Sequence, residues 1–169
     1  MKFLWIIPLT VAIDQASKII VRHTMSLYQS DPVLGDFFRL TYIHNPGAAF
    51  SLNLGSPFLH TAVSIIALGV LAYLYRTLTE DEQLLRLALS LVLGGAVGNI
   101  IDRLYLGAVV DFFDFGFGDL RWPVFNFADS FVTVGVILMA FGYSRRDESD
   151  SDKEQDSVAS SPEEEVARG

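Results

Sequence analysis

Four long apolar segments constrain the fold of this chain more than any other feature of its sequence. They cover about residues 3–22, 58–76, 86–106 and 124–143. A helix rises about 1.5 Å per residue, so each segment is long enough to cross a hydrocarbon core of roughly 30 Å. The apolar share of 51% and the mean hydropathy of +0.37 also exceed what one soluble core of this size needs. The pattern predicts a mainly α membrane protein with four transmembrane helices.

The first segment has a second interpretation, a cleaved signal peptide, because Lys2 precedes an apolar run. Asp14 and Lys18 interrupt that run, and it lacks a small-residue cleavage site, so a retained span is favoured. In the third segment, Gly94, Gly95 and Gly98 predict a smooth helix face on which another helix can approach closely.

Two of the three connections between the spans are long. Between the first and second spans, residues 37–43 have the aromatic and β-branched bias of a short strand, and residues 44–47 predict a turn. Residues 48–54 fit either a short surface helix or another extended piece. Residues 107–123 predict a loop that is partly extended, with Gly116 and Gly118 as turn signals.

The formal charge of -8 lies mostly in the C-terminal tail. Residues 145–169 contain nine acids and four bases, a net of -5, which leaves -3 for the rest of the chain. We expect a membrane domain over residues 1–144 and an acidic, disordered cytoplasmic tail over residues 145–169. The balance does not suggest a nucleic-acid partner. The chain has no cysteine, which excludes disulfides and thiolate chemistry.

Antiparallel spans would place both long connections, and the span ends next to them, at one membrane face. Most polar residues of the spans then gather there, with Asp14 somewhat deeper. Lys and Arg residues divide five against five between the two faces, so charge alone does not orient the chain. If Lys18 and Arg103 are discounted as internal partners of acids, both termini are cytoplasmic and the polar face is extracytoplasmic. The gathered residues are Lys18, Asn45, Asn99, Asp102, Arg103, Asp111, Asn126 and Asp129.

Two aspartates lie in strongly apolar runs, Asp111 in Val-Val-Asp-Phe-Phe and Asp129 in Phe-Ala-Asp-Ser. Ionised carboxylates are costly in such surroundings, so their presence suggests chemistry. Two carboxylates that share a hydrogen bond cannot both ionise, and such a pair can hydrolyse a peptide with one acid and one base. The residues alone leave the partner of Asp129 open, because the matching Asn99-x-x-Asp102 and Asn126-x-x-Asp129 patterns favour Asp102 over Asp111.

Several of these charged residues can also be explained by a structural role instead of a catalytic one. Asp14 and Lys18, four residues apart, could be only a neutralising pair, and Asp102 could likewise pair with Arg103 or Arg22. His44 and His60 offer no spaced ligand set, so no metal or other cofactor is expected. Asp114 and Asp119 are predicted to be solvated loop residues.

Two other classes of protein remain possible at this point. A small transporter could use Asp14, Asp102 and Asp129 as a proton relay, but such a path needs polar groups through the full membrane depth, and the second and fourth spans have them at one end only. A non-catalytic assembly factor would need neither carboxylate for chemistry.

At five sequence blocks the chain resembles the bacterial lipoprotein signal peptidases, also called signal peptidase II. Each block alone is weak, but five in order on four spans are highly specific. The blocks are Asp14-Gln15-x-x-Lys18, Asn45-x-Gly47-Ala48-Ala49-Phe50, Gly98-Asn99-x-x-Asp102-Arg103, Val109-Val110-Asp111-Phe112 and Phe125-Asn126-x-Ala128-Asp129-Ser130.

The resemblance implies a multi-pass aspartic endopeptidase of the bacterial plasma membrane, with Asp111 and Asp129 as the catalytic pair. It also implies a small extracytoplasmic β-sheet cradle with a short surface helix. The implied substrate is a prolipoprotein that carries diacylglycerol on its cysteine and is cut just before that cysteine. Membrane lipid is the other expected partner, and the enzyme is expected to be a monomer. The residues implied to bind substrate or support the site are Asp14, Lys18, Asn45, Gly47, Asn99, Asp102, Arg103, Asn126 and Ala128.

Overall fold

The structure, a computed structural model, describes residues 2–47 and 57–159. Four helices and one four-stranded sheet make up this part of the chain. The helices are α1 (Ile6–Thr24), α2 (Pro57–Thr77), α3 (Gln83–Leu106) and α4 (Phe127–Ala159), and the strands are β1 (Ser30–Leu34), β2 (Phe38–Asn45), β3 (Val109–Phe117) and β4 (Leu120–Arg121). The predicted surface helix at residues 48–54 lies outside the described residues.

Among the described residues, three helices are long and apolar enough to cross a membrane, namely Phe58–Thr77, Gln83–Leu106 and Phe127–Ser144. The prediction of a mainly helical membrane protein with a small sheet is therefore confirmed. Helix α1 is interrupted by charged residues, yet its 19 residues still measure about 28 Å. Its buried side chains, including Thr10, Asp14 and Lys18, recur every three or four residues and so form one stripe along the helix.

Helix α3 is the central helix of the bundle, because it packs against α1, α2 and α4. Its glycines make these close contacts possible. A β-carbon at Gly98 would overlap the carboxylate of Asp14, and one at Gly95 would overlap the backbone of Ala128. The predicted smooth face of the third span is confirmed, and it brings α1 and α4 to the same region of α3.

The sheet is antiparallel, with strand order β1-β2-β3-β4. Gly107 ends α3 in the left-handed conformation (φ 70°), which turns the chain directly into β3. Val110 and Phe112 of β3 pack with Val21 of α1 and Tyr42 of β2. Residues 107–123, predicted as a partly extended loop, thus contain β3, one of the two central strands of the sheet. Pairing with β2 stabilises this strand, and sequence periodicity did not reveal that pairing.

Asp114 is not the solvated loop residue that the sequence predicts. It is buried in β3, where Arg121 Nε lies 2.6 Å from its Oδ1 and the hydroxyl of Thr41 donates to its Oδ2 at 2.6 Å. The prediction was wrong because it treated this segment as a loop, whereas strand pairing places Asp114 beside β2 and β4.

Helix α4 begins later than predicted, at Phe127 rather than near residue 124. Phe125 exchanges two backbone hydrogen bonds with Phe113, at 2.7 and 3.0 Å, so the chain is still extended there. Asn126 therefore precedes the helix, and Asp129 lies in its first turn.

Helix α4 also extends further than the fourth apolar segment, to Ala159, where the sequence predicts a disordered tail from residue 145. Composition disfavours burial of this acidic segment, but no proline or glycine interrupts it between residues 143 and 159. Residues 160–169 lie outside the described residues, and for them disorder stays a prediction.

Candidate active site

Asp111 of β3 and Asp129 of α4 line one cleft of about 560 Å³, located where the sheet meets the helices. The cleft has a polar side and an apolar side. Its polar lining also includes Asn45, Asn99 and Arg103, and its apolar lining includes Trp122, Val124, Val132 and Val134. Two carboxylates at the polar side of an apolar cleft are well placed for chemistry on an apolar substrate.

Asp111 is almost fully buried, with 1% of its surface exposed. Both carboxylate oxygens accept hydrogen bonds from side-chain amides, Oδ1 from Asn126 Nδ2 at 2.6 Å and Oδ2 from Asn45 Nδ2 at 2.9 Å. Asn45 is oriented in turn, because its Oδ1 accepts from the backbone N–H of Gly47 at 3.0 Å. Asn45 and Asp111 are on paired strands β2 and β3, which explains how the two side chains meet.

Burial raises the pKa of Asp111 to about 7, and the negative charge of Asp129 adds to this effect. The hydrogen bonds from Asn45 and Asn126 and the charge of Lys18 lower the pKa, but they do not offset the burial. Asp111 therefore holds its proton in a pH range where an ordinary aspartate would be ionised.

Asp129 is held by the capping interactions of α4. Its carboxylate Oδ2 accepts from the backbone N–H of Asn126 at 3.2 Å, and its own N–H donates to Asn126 Oδ1 at 2.9 Å, a reciprocal capping box. Its Oδ1 accepts from Asn99 Nδ2 at 2.8 Å. These hydrogen bonds fix the orientation of the Asp129 carboxylate at the start of α4.

Asn126 connects the two aspartates directly. One end of its amide donates to Asp111, and the other end accepts from the backbone of Asp129. The same Nδ2 lies 3.1 Å from Asn99 Oδ1 and 3.2 Å from the carbonyl of Val110. Since Asn126 is fully buried, its amide fixes the two aspartates on either side of one rigid group.

Lys18 lies next to Asp111 and Asp129 and is connected to Asp129 through Asn99. Its Nζ lies 2.8 Å from Asp14 Oδ2, 2.8 Å from Asp102 Oδ2 and 2.9 Å from Asn99 Oδ1. The neutralising pair of Asp14 and Lys18 is thus present, but Asp102 shares the same lysine instead of pairing with Arg103 or Arg22. Asp102 is buried and lies outside the cleft lining.

The other predicted residues also lie around this centre. Ala128 is fully buried and donates its backbone N–H to Asp14 Oδ1 at 3.0 Å, and Gly47 lines the cleft. Arg103 lines the cleft without an ion pair in the described part of the chain, and its charge interacts with Asp129, Asp111 and Asp102.

Gln15 and Trp122 are site residues that the sequence interpretation missed. Gln15 Nε2 lies 3.1 Å from Asp102 Oδ1 and 3.1 Å from the carbonyl of Gly98, and its place beside Asp14 in the first block was the available signal. Trp122 lines the cleft and is 65% exposed, and its position depends on the sheet, which the sequence did not reveal.

A bundle of apolar helices with two aspartates in one apolar cleft, both hydrogen-bonded to Asn126, is typical of membrane-embedded aspartic hydrolases. Residues 6–144 match the family model described as signal peptidase (SPase) II. Two similar curated proteins are lipoprotein signal peptidases, from Moorella thermoacetica (47% identical, covering 83% of this chain and 91% of that protein) and Geobacter sulfurreducens (44%, covering 82% and 88%).

Two solved structures described as a bacterial membrane enzyme resemble the chain at 35% identity. They have TM-scores of 0.76 and 0.74 and cover 83% and 82% of this chain, and 86% and 90% of theirs. The chain belongs to the signal peptidase II family, the aspartic peptidases that remove signal peptides from prolipoproteins.

Proposed function

We propose that Asp111 and Asp129, the dyad, are the catalytic residues of this membrane peptidase. The observation that carries the proposal is Asn126, which is hydrogen-bonded to both residues while both line one cleft. Asp102 is the weaker candidate, because its carboxylate is occupied by Lys18, Gln15 and the backbone N–H of Val110.

The two members of the dyad have different roles. Ionised Asp129 takes a proton from water, whose oxygen attacks the scissile carbonyl carbon. Protonated Asp111 donates its hydrogen bond to the carbonyl oxygen and stabilises the tetrahedral intermediate. When the carbon–nitrogen bond breaks, the proton held by Asp129 passes to the leaving amine, which regenerates the starting carboxylate. The raised pKa of Asp111 supports this assignment.

The substrate is a prolipoprotein that carries diacylglycerol on its cysteine and is cut just before that cysteine. The apolar side of the cleft supports this specificity, because Val132 and Val134 continue along α4, the same helix that carries Asp129. Acyl chains can stay in the bilayer along this helix while the peptide reaches the dyad. The enzyme acts as a monomer.

Helix α1 is the fourth span, both termini are cytoplasmic, and the dyad faces the extracytoplasmic side. The burial of Lys18 between two carboxylates supports this orientation, because a neutralised lysine does not count in the positive-inside rule. Single cysteines can test it, since the chain has none: we expect Asp119→Cys in the β3–β4 turn, and not Asp81→Cys in the α2–α3 loop, to react with a membrane-impermeant maleimide in intact cells. The reverse pattern would invert the topology.

The dyad is tested by purified variants and a lipidated precursor. We expect Asp111→Asn and Asp129→Asn each to lower the cleavage rate by about 10³-fold or more, because the two groups act as a unit. Asp119→Asn, which changes an exposed acid of the same sheet region, is the matched control and should cleave normally. Normal cleavage by either dyad variant, correctly inserted, would refute the assignment.

Asp102→Asn separates the two candidate partners of Asp129. If Asp102 supports the site, the loss of activity in this variant should accompany a loss of folding stability, whereas strong loss of activity with an intact fold would reopen the choice between Asp102 and Asp111. An unlipidated precursor in the same assay tests the substrate: we expect it to remain uncut.

The proton-relay alternative has less support in the described residues. Toward the N-terminus of α1, the buried stripe continues from Asp14 through Thr10 to Ile6. An apolar cluster of Tyr75, Leu78, Leu85, Leu89 and Leu93 packs between α2 and α3. The ionisable groups around the dyad therefore do not continue through this half of the bundle, as a relay across the membrane would need.

A further inference from the structure

Lys18 makes three short polar contacts, yet it has no role in the proposed mechanism. Its ammonium group has three N–H donors and three acceptors within 2.9 Å, contributed by Asp14, Asp102 and Asn99. Lys18 is 2% exposed, and Asp14 is fully buried. The donor capacity of Lys18 is therefore fully used inside the protein, and no donor is left for a substrate.

The two carboxylates bound to Lys18 also accept backbone hydrogen bonds at equivalent places. Asp102 Oδ2 accepts from the N–H of Val110 at 3.0 Å, and Asp14 Oδ1 accepts from the N–H of Ala128 at 3.0 Å. Val110 directly precedes Asp111, and Ala128 directly precedes Asp129. One lysine is thus linked through two carboxylates to the backbone just before each member of the dyad.

These links act on the backbone, whereas the asparagines act on the side chains. Asn45, Asn99 and Asn126 contact the carboxylates of the dyad and so orient them. Asp14 and Asp102 contact main-chain N–H groups on two separate elements, α4 and β3. The separation between those elements then depends on a bridge whose cation is Lys18.

We propose that Lys18 is a positioning residue that, bound to Asp14 and Asp102, sets the spacing between the backbones of Asp111 and Asp129. The inference rests on the proposed dyad and adds how its spacing is kept. We call Asp14, Lys18 and Asp102 the lysine cluster. The cluster does not line the cleft, so it acts on the chemical step and leaves substrate binding unchanged.

Lys18→Met tests this role. The variant keeps the approximate length of the side chain and removes the cation, so both carboxylates lose their bridge. We expect kcat on a lipidated precursor to fall by about 10²-fold, since a displacement of about 1 Å at a catalytic pair has an effect of that size. KM should change by less than about twofold, because no cleft residue is altered.

Lost stability alone could also lower activity, so a charge-matched variant is needed. Lys18→Met combined with Asp14→Asn keeps the cluster at its native net charge, and the amide oxygen introduced at position 14 can still accept the bond from Ala128. We expect this double variant to regain much of the thermal midpoint that Lys18→Met loses, while kcat stays low because the bridge is still absent. If kcat returns together with the midpoint, Lys18 is only structural and the proposal is wrong.

Arg86→Met at the opposite end of the bundle is the control for stability. Arg86 donates to the carbonyls of Leu78 and Thr79 and lies over the ring of Tyr75. Its loss should lower the thermal midpoint and leave kcat unchanged. If the dyad variants are inactive and Lys18→Met keeps native kcat, only the positioning role fails, whereas active dyad variants would refute the proposed function itself.

Discussion

The dyad and the lysine cluster each contain two buried or partly buried aspartates, yet their partners differ in kind. The carboxylates of the lysine cluster share a cation, which compensates their charge within the protein. Among the described residues, the carboxylates of the dyad receive only neutral N–H donors, from amide side chains and the backbone. Neutral donors orient the carboxylates of the dyad without an ion pair, whereas both carboxylates of the cluster are paired with the ammonium group of Lys18.

This contrast shows why an Asn-x-x-Asp pattern alone cannot identify the catalytic residue. Asn99 and Asp102 lie inside α3, where Lys18 of α1 reaches both. Asn126 and Asp129 form the capping box of α4 and leave Asp129 at the cleft. The same spacing thus produces a supporting pair in one helix and a candidate catalytic site at the start of another.

The largest expected difference between the two regions is in folding stability. Asp102→Asn removes one anion from a buried ion pair, which should lower the free energy of unfolding by about 3 kcal/mol. Asp111→Asn removes a carboxylate that no cation of the described residues contacts, so its loss should be under about 1 kcal/mol. Denaturation of both variants in the same detergent at pH 7 measures the difference. Equal losses would mean that the two regions are not distinct.

A smaller effect is expected where the cluster packs against α3. Gly98→Ala adds a methyl group that overlaps the carboxylate of Asp14, and overpacking of this kind should destabilise the protein by about 1–3 kcal/mol. Gly69→Ala is the matched control, because a β-carbon there would have no described residue within 4 Å apart from its chain neighbours and the adjacent backbone of its own helix. Thermal midpoints of the two variants provide the comparison. If the two alanines have the same effect, close contact at Gly98 does not matter.

The helices and the gathering of polar residues were predictable because apolar length and antiparallel connection require few assumptions. The start of α4 was not, since the extended conformation of Phe125 depends on its pairing with Phe113, on another element. Burial of Asp114 was missed for the same reason. Strand pairing between distant segments leaves little local pattern, so the sheet was the part of the fold that sequence described least well.

For the site, the sequence supplied the residues but not their partners. Lys18 and Asp14 are four residues apart and were predictable as a pair, whereas the third member, Asp102, depends on how α1 and α3 pack. The choice of Asp111 over Asp102 came from the family resemblance, and the residues alone favoured Asp102. The contacts of Lys18 now supply a physical reason to prefer Asp111.

The last prediction concerns the pH dependence of the dyad. The pKa of Asp111 is raised from 3.8 to about 7, so Asp111 loses its proton as pH rises through about 7. The enzyme then lacks its general acid, and activity should fall. Folding takes up a proton between these two values, and stability should therefore fall as pH rises from about 4 to 7 and level off above. The charged groups around Asp111 are Asp129, Lys18 and Arg103.

Asn45→Ala sharpens this test, because Asn45 donates a hydrogen bond that lowers the pKa of Asp111. Without that donor the pKa rises further, so the alkaline limb of the kcat profile should move to higher pH in the variant. Lys18 and Asp102 are untouched, and the thermal midpoint at low pH should stay close to native. A limb that stays in place, or moves to lower pH, would mean that a group other than Asp111 supplies the proton. Because Asn45 donates to Asp111 and is not part of the lysine cluster, a shift to higher pH would be a property of the dyad and not of the cluster.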